Sequence, residues 1–252
     1  MNSVQWAEYL YDFHQNRPGI TEDVLAHARA IDANDEPYRW LLEPLGDVAP
    51  VLDLACGSAP LWSRRAPQGW VGVDRSAGEL TRAASIGAGP LVQGDAGMLP
   101  FATARFGGVV CSMAIMLIQP FDTAVAELAR VLAPGGVGAL MLPGRRPLTG
   151  PDLARYARLM FLLRRTHLAY PNDRDTAHLP AALARSGLEV TSDERRRFAV
   201  RFDDTGSVAL FVNSLYLPGV PPERTAAAIA TLQGWVDTDL GVPLRRIVFR
   251  RA

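Results

Sequence analysis

VLDLACGSAP, residues 51–60, joins a short apolar run to a turn made of small residues. The run Val51–Leu54 is apolar apart from one carboxyl, which is typical of a strand buried within a parallel sheet. The small side chains at 55–60 let the backbone turn sharply and approach a ligand closely. Ligands of open parallel sheets bind beyond the carboxyl ends of the strands. The segment therefore predicts a strand followed directly by a binding loop.

Apolar runs alternate with helix-compatible segments after this loop. Strands are predicted at 70–74, 90–93, 108–112 and 138–142, and helices at 76–85 and 122–132. Ser76, with Glu79 three residues later, predicts a capping box, so that the first of these helices starts directly after the second strand. Strands that alternate with helices in this way predict an α/β fold, with a mostly parallel sheet covered on both faces.

The flanking regions also show helical and strand patterns. Residues 1–45 are predicted to be helical from the spacing of Trp6, Leu10, Phe13, Val24, Leu25 and Ile31. Thr21, followed by Glu22 and Asp23, is predicted to cap the second helix of this region. Further helices are predicted at 152–165, 180–186 and 222–232, and strands at 188–191, 197–202 and 246–250. The closing strands are expected to form an antiparallel edge of the sheet.

Carboxylates follow the predicted strands at a spacing that suits a nucleoside. Asp74 ends the second strand 21 residues after Asp53, where a carboxylate of dinucleotide-binding folds accepts hydrogen bonds from ribose hydroxyls. Asp95 and Ala96 follow the third strand and offer a carboxylate and a backbone amide to the edge of an adenine. A lone Asp at a strand end more often caps a turn. The order and spacing of all these residues together indicate a nucleoside site.

The motifs resemble those of the class I S-adenosylmethionine-dependent methyltransferases, in particular the small-molecule branch of the type 11 group. The matching segments are VLDLACGSAP (51–60), VGVDRS (71–76), GDAGMLPF (94–101), FGGVVCSMAIM (106–116) and ELARVLAPGGVGAL (127–140). The resemblance covers residues 46–143 well and the rest of the chain in general layout. It implies a Rossmann-like sheet of seven strands with an antiparallel last strand, helices on both faces, and S-adenosyl-L-methionine as the cofactor.

The resemblance also implies which residues contact the cofactor. They are Asp53, Ala55, Cys56, Gly57, Asp74, Arg75, Asp95, Ala96, Ser112 and Met113. Asp53, Ala55 and Gly57 would line the methionine end, and Asp74 would hold the ribose. Arg75 or Ser76 would lie beside the adenine, whose amino group Asp95 would bind. Ser112 and Met113 would form the floor under the sulfonium.

Two positions of the binding loop depart from the family's pattern. Ala59, followed by Pro60, stands where a glycine is usual, and Ala55 replaces the first glycine. The Ala59 methyl is expected to be tolerated if its backbone angles are ordinary, and Pro60 suits the first turn of a helix. These substitutions could lower the affinity for the cofactor, but they leave the assignment in place.

The charge balance, the apolar runs and the cysteine count indicate which binding partners and which compartment to expect. The 252 residues include 26 basic and 26 acidic side chains, for a net charge of zero, and every basic residue is Arg. A strongly basic nucleic-acid-binding surface is therefore not expected. The longest apolar run, 109–118, is shorter than the roughly 20 residues that span a bilayer. No signal peptide is recognised, and two cysteines do not make a disulfide framework, so a cytoplasmic protein is expected.

Transfer of an activated methyl group requires few catalytic side chains, because proximity and alignment supply much of the rate. His14, in the N-terminal region, and His167, in the segment after the fifth strand, are the candidate bases; the alternative for each is an exposed helix residue. No pair of His or Cys has metal-ligand spacing, so no metal is expected. The Arg clusters at 145–146, 164–165 and 195–197 are interpreted as solvated faces.

We therefore expect a single methyltransferase domain of EC class 2.1.1 that acts on an O, N or C atom of a small-molecule acceptor in secondary metabolism. Its parts are a helical cap (1–45), a cofactor-binding core (46–143), an inserted lid (144–185) and C-terminal strands with a helix (186–252). A non-catalytic cofactor-binding scaffold, a nicotinamide-dependent oxidoreductase and a cofactor-assisted cyclisation stay open. The missing G-x-G-x-x-G pattern disfavours the oxidoreductase. A homodimer is also left open.

Overall fold

The computed structural model describes residues 1–30, 35–64 and 69–252, and a single mixed sheet runs through them. Its strands are β1 (Ala28–Ala30), β2 (Val51–Leu54), β3 (Trp70–Asp74), β4 (Leu91–Gln93), β5 (Phe106–Ser112), β6 (Leu132–Pro143), β7 (Leu188–Phe202) and β8 (Thr238–Arg251). The strand order across the sheet is β1-β7-β8-β6-β5-β2-β3-β4. Strands β2 to β6 pair in parallel, and β8 runs antiparallel between β6 and β7.

Helices cover both faces of this sheet. They are α1 (Ser3–Asn16), α2 (Ile20–Ala26), α3 (Pro37–Leu42), α4 (Ala77–Ser85), α5 (Phe121–Val131), α6 (Gly150–Leu163), α7 (Asp173–Ala177), α8 (Leu179–Arg185), α9 (Thr205–Asn213) and α10 (Pro222–Leu232). Val51 packs into one buried cluster and its neighbour Leu52 into another, because successive strand residues point to opposite faces. The sheet is therefore buried on both sides.

The strand order reverses between β2 and β5. From β2 the chain continues to β3 and β4 on one side, while β5 and β6 lie on the other. Adjacent connections leave toward opposite faces at such a reversal, which opens a crevice beyond the carboxyl ends of the two strands. The loops after β2, β3, β4 and β5 meet at this crevice.

The predicted α/β fold is confirmed, with differences in the outer strands. The sheet has one strand more than expected, because Ala28–Ala30, predicted to be helical, pairs antiparallel with β7 at its edge. The predicted strands at 188–191 and 197–202 are one continuous strand with a register shift between Val190 and Ser192. The antiparallel closing pair is confirmed. Ile31, part of the predicted helical pattern, lies outside the described residues.

Two predicted helix caps are wrong in detail. Gly19, with a φ of 78°, is the N-cap of α2, so that Thr21 lies inside the helix instead of capping it. Ser76 does cap α4 and accepts from the Glu79 backbone N–H, but the Glu79 carboxylate does not complete a capping box. The Ser76 backbone N–H donates instead to Asp74 Oδ1 at 2.8 Å. Thr21 instead lines the crevice, and the Glu79 carboxylate pairs with His14 beside it.

Candidate active site

A cavity of about 190 Å³ occupies the crevice at the carboxyl ends of β2, β3, β4 and β5. Its floor is formed by the loops that follow these strands, and its roof by α1, α2 and Tyr216. All ten predicted cofactor residues line it: Asp53, Ala55, Cys56, Gly57, Asp74, Arg75, Asp95, Ala96, Ser112 and Met113. The fold therefore collects in one place the residues that the sequence motifs singled out.

The loop after β2 turns through left-handed backbone conformations. Ala55 has a φ of 54°, Gly57 of 53° and Ala59 of 59°. The condition under which the Ala59 methyl was expected to be tolerated, ordinary backbone angles, is thus not met, and the alanines at 55 and 59 adopt a conformation that favours glycine. The Asp53 side chain, 1% exposed, points into the cavity wall, and burial followed by the charges of Asp74 and Glu22 raises its pKa well above the usual range.

Asp74 connects this loop to the start of α4. Its Oδ2 accepts the Gly57 backbone N–H and its Oδ1 the Ser76 backbone N–H, each at 2.8 Å. The carboxylate thus fixes both backbone segments that bound the cavity. Each carboxylate oxygen accepts more than one hydrogen bond, so both oxygens keep lone pairs for further donors in the cavity.

The loops after β4 and β5 complete the floor. Asp95 is exposed and folds back on its own turn, where its Oδ1 accepts the Gly97 N–H at 2.7 Å. Met113 has a φ of 54°, and its backbone N–H donates to Met141 O at 2.7 Å. Ser112 precedes it, with its hydroxyl buried at the base of the cavity.

Glu79 attaches the N-terminal helices to the core. The residue is 1% exposed, and its Oε1 lies 2.8 Å from His14 Nδ1 while its Oε2 accepts the Gly19 N–H at 2.9 Å. Arg82, one turn further along α4, donates to Asp23 Oδ1 and to Pro18 O. Helices α1 and α2 are thereby held over the cavity by α4, whose N-cap residue Ser76 is bound by Asp74.

His14 stands between an acid and a phenol. Its Nε2 lies 3.0 Å from the Tyr216 hydroxyl, and its Nδ1 faces Glu79. Burial lowers the pKa of His14, but the hydrogen bond and charge of Glu79, with the charges of Glu22 and Asp74, outweigh it and leave the pKa raised. With Glu79 ionised, Nδ1–H donates to it, so that Nε2 of the neutral ring accepts from Tyr216.

His167 lies outside this site. It is exposed in the turn after α6, and its Nδ1 is 2.9 Å from Thr166 Oγ1. The predicted lid, 144–185, supplies none of the lining residues, because α6 packs against α10 and β8 instead. The cover over the cavity comes from the N-terminal helices and Tyr216.

Several polar residues of the site were not predicted, among them the lining residues Thr21, Glu22 and Tyr216 and, behind His14, Glu79. Thr21, Glu22 and Glu79 carry ordinary helix-start signals, and Tyr216 lies far beyond the last motif, which ends at residue 140, in the loop after α9. A paired acid and histidine separated by 65 positions leave no local pattern. The tertiary structure alone brings them together.

Neither a metal centre nor a membrane span is found in residues 1–30, 35–64 and 69–252. No group of three or more His, Cys, Asp or Glu side chains converges there in a way that could hold a metal ion. None of the helices in these ranges is long and apolar enough to cross a bilayer.

One segment of the chain, which includes the floor of the cavity, is similar to a known protein family. Residues 52–140 match the family model described as a methyltransferase domain. A demethylmenaquinone methyltransferase of Mycolicibacterium gilvum is 41% identical over 88 residues, which are 34% of this chain and 38% of that protein. One of Streptomyces avermitilis is 34% identical over 137 residues, 50% of this chain and 55% of that protein. The chain thus spans about half or less of these curated relatives.

Solved structures resemble most of the chain in fold. The [4+2]-cyclase SpnF has a TM-score of 0.61 at 18% identity, over 98% of this chain and 95% of its own. The YcgJ protein of Bacillus subtilis has a TM-score of 0.58 at 18% identity, over 85% of this chain and 97% of its own. At this identity the likeness shows the fold.

Residues 52–140 are thus similar to a methyltransferase domain. The sheet order and the cavity at its reversal agree with the Rossmann-like fold that the resemblance to class I S-adenosylmethionine-dependent methyltransferases implied.

Proposed function

We propose that this protein transfers the methyl group of S-adenosylmethionine to an O, N or C atom of a small-molecule acceptor. The observation that carries the proposal is the cavity beyond β2 and β3, whose floor is formed by the matched segment, residues 52–140, and carries acidic side chains. The role in secondary metabolism that the sequence suggested stays a prediction.

The polar atoms of the cavity suit this cofactor. Within the described part of the chain, Asp53 Oδ2, Ser112 Oγ, Thr21 Oγ1 and Glu22 Oε2 are buried without a hydrogen-bond partner, and all four residues line the cavity. Buried polar atoms are rarely left unpaired in a folded protein. A ligand with an ammonium group, two ribose hydroxyls and an adenine amino group offers donors to such acceptors. Asp53, Asp74 and Asp95 are the residues that would hold these three parts.

The bound cofactor would supply a methyl group on a positively charged sulfur, which leaves as a neutral thioether. The protein's part is then to align the acceptor, to exclude water and to take up a proton where the acceptor carries one. Apolar side chains line the cavity beside Tyr216 and provide an apolar environment for the acceptor: Leu10, Leu25, Leu117 and Ile118.

His14 and Tyr216 provide a path for that proton. The Tyr216 hydroxyl donates to His14 Nε2, so that its oxygen keeps lone pairs for a hydrogen bond from the acceptor. As an acceptor O–H or N–H loses its proton to Tyr216, the phenol proton passes to His14, and the resulting imidazolium is stabilised by Glu79. In this scheme Tyr216 contacts the acceptor, and His14 acts as the base through it.

The acceptor class follows from the lining and from the relatives. An apolar, aromatic pocket with a single proton path favours a phenol, a hydroquinone or a similar ring whose hydroxyl ionises during attack. The two curated relatives are named demethylmenaquinone methyltransferases. We therefore propose an apolar aromatic or quinol acceptor, methylated on oxygen or on a ring carbon made nucleophilic by the adjacent oxygen.

Calorimetric titration of the purified protein with S-adenosylmethionine and, separately, with NADH tests the cofactor assignment. We expect micromolar binding of S-adenosylmethionine and no heat with NADH. Transfer of a labelled methyl group to a panel of phenols, hydroquinones and amines then tests the acceptor class. Binding of NADH in place of S-adenosylmethionine would establish the oxidoreductase instead, and cofactor binding with no transfer to any member of the panel would favour the scaffold.

A further inference from the structure

Glu22 brings a carboxyl group from the N-terminal cap into the cofactor cavity. It belongs to α2, which is not part of the sheet, and the proton path described above does not use it. Its Oε1 lies directly over Gly57: a Cβ built on that glycine would be 2.0 Å from the oxygen. Its Oε2 is buried, and no partner for it is found among the residues that the structure describes. A glycine at 57 is therefore required for this placement.

The groups that face Glu22 come from every element around the cavity. They are His14 on α1, Tyr38 on α3, Asp53 and Cys56 at the end of β2, Asp74 at the end of β3, Glu79 on α4 and Tyr216 after α9. Most are acidic or neutral, and His14 is already engaged by Glu79. Burial and the charge of Glu79 raise the pKa of Glu22 to about 7. Near neutral pH the free protein thus holds this carboxyl partly protonated.

The position of Gly57 indicates which part of the cofactor Glu22 meets. Gly57 lies between Asp53, assigned to the methionine end, and Asp74, assigned to the ribose, and its N–H donates to Asp74. In S-adenosylmethionine the atom between the ribose and the methionine side chain is the positively charged sulfur. A carboxyl group over Gly57 therefore faces the sulfonium region rather than the ammonium group or the adenine.

We propose that Glu22 is a charge-selective cofactor-binding residue: its carboxyl group faces the sulfonium of S-adenosylmethionine and releases its proton to solvent when that cation binds. The product of methyl transfer has a neutral sulfur, so that it leaves Glu22 protonated and gains no ion pair. The site then holds the methyl donor more tightly than the demethylated product. This inference rests on the proposed function, and it adds the means by which the site distinguishes donor from product.

Calorimetry with three ligands tests the proposal without an acceptor. The ligands are S-adenosylmethionine, S-adenosylhomocysteine and sinefungin, an analogue with a protonated amine in place of the methylsulfonium. We expect Glu22→Gln to weaken the binding of the two cationic ligands roughly tenfold or more, because an ion pair in a partly buried site is lost. The binding of S-adenosylhomocysteine is expected to change less than about twofold.

Proton release provides a second readout. Titrations at pH 7 in two buffers of different ionisation enthalpy count the protons released on binding. Because the pKa of Glu22 is about 7, the wild-type protein should release about half a proton more than Glu22→Gln with S-adenosylmethionine. With S-adenosylhomocysteine the two proteins should release the same number.

Glu8→Gln is the matched control, since Glu8 is an exposed carboxylate on α1 that does not line the cavity. It is expected to bind all three ligands as the wild type does. An equal loss of affinity for donor and product in Glu22→Gln, or no loss for either, would overturn the charge-selective role while leaving the cofactor assignment intact. A folded wild-type protein that bound none of the three ligands would overturn both.

Discussion

Replacement of Asp74 should affect the fold and the cofactor site at once, and two substitutions separate the effects. Its two oxygens accept the N–H groups of Gly57 and Ser76 at 2.8 Å, and both donors lie in buried residues. Asp74→Ala leaves both N–H groups unpaired, at about 1–1.5 kcal/mol each for a half-buried carboxylate. We expect the free energy of unfolding to fall by about 2–3 kcal/mol. Asp74→Asn keeps one acceptor oxygen and should cost about half as much.

The effect on cofactor affinity should not follow the same ranking. Both substitutions remove the carboxylate whose two charged oxygens would accept hydrogen bonds from two ribose hydroxyls. Both should therefore weaken S-adenosylmethionine binding about 100-fold. Urea unfolding followed by circular dichroism gives the stability, and calorimetry of the folded variants gives the affinity. Asp95→Ala is the control: its carboxylate accepts only the Gly97 N–H within the described residues, so we expect a loss of at most about 1 kcal/mol in stability.

Two outcomes would contradict this reasoning. If the midpoint of urea unfolding were the same for Asp74→Ala as for the wild type, the carboxylate would not hold the two backbone segments together. A folded Asp74→Asn protein that binds S-adenosylmethionine within about threefold of the wild type would mean that Asp74 does not hold the ribose.

Three further predictions concern buried ionisable groups. Between pH 4.5 and 7 the folded state binds more protons at Glu22 than the unfolded chain does, so the free energy of unfolding falls as the pH rises through this window. In urea unfolding, Glu22→Gln should be more stable than the wild type by up to about 3 kcal/mol at pH 8 and by little at pH 4.5. A difference that did not depend on pH would refute the raised pKa of Glu22. Glu79→Gln should lower the pKa of His14 in an NMR titration, because it removes the negative charge 2.8 Å from Nδ1; an unchanged pKa would contradict the pairing. Burial raises the pKa of the Cys111 thiol to about 12, so a thiol reagent should label it in urea and not in the native protein; rapid native labelling would contradict this.

The local sequence determined the sheet and the floor of the cavity. The short apolar runs must be buried, and they are buried when they lie side by side as parallel strands. This arrangement brings their carboxyl ends, with Asp53, Asp74 and the small residues that follow, to one edge of the sheet. The contacts that fix this floor are local in sequence or join adjacent strands, as in the bond from Gly57 to Asp74. The motifs therefore singled out ten residues that the fold brings to the floor of one cavity.

The roof of the cavity was decided by the tertiary structure. Glu79 fits a capping box by its sequence, but in the folded protein its carboxylate is buried and faces His14, because helix α1 packs on α4 and supplies a stronger partner than the Ser76 N–H. Tyr216 reaches His14 from a position 202 residues away. Such pairs depend on how helices dock, which is set by the sum of many packing contacts, so no residue spacing records them.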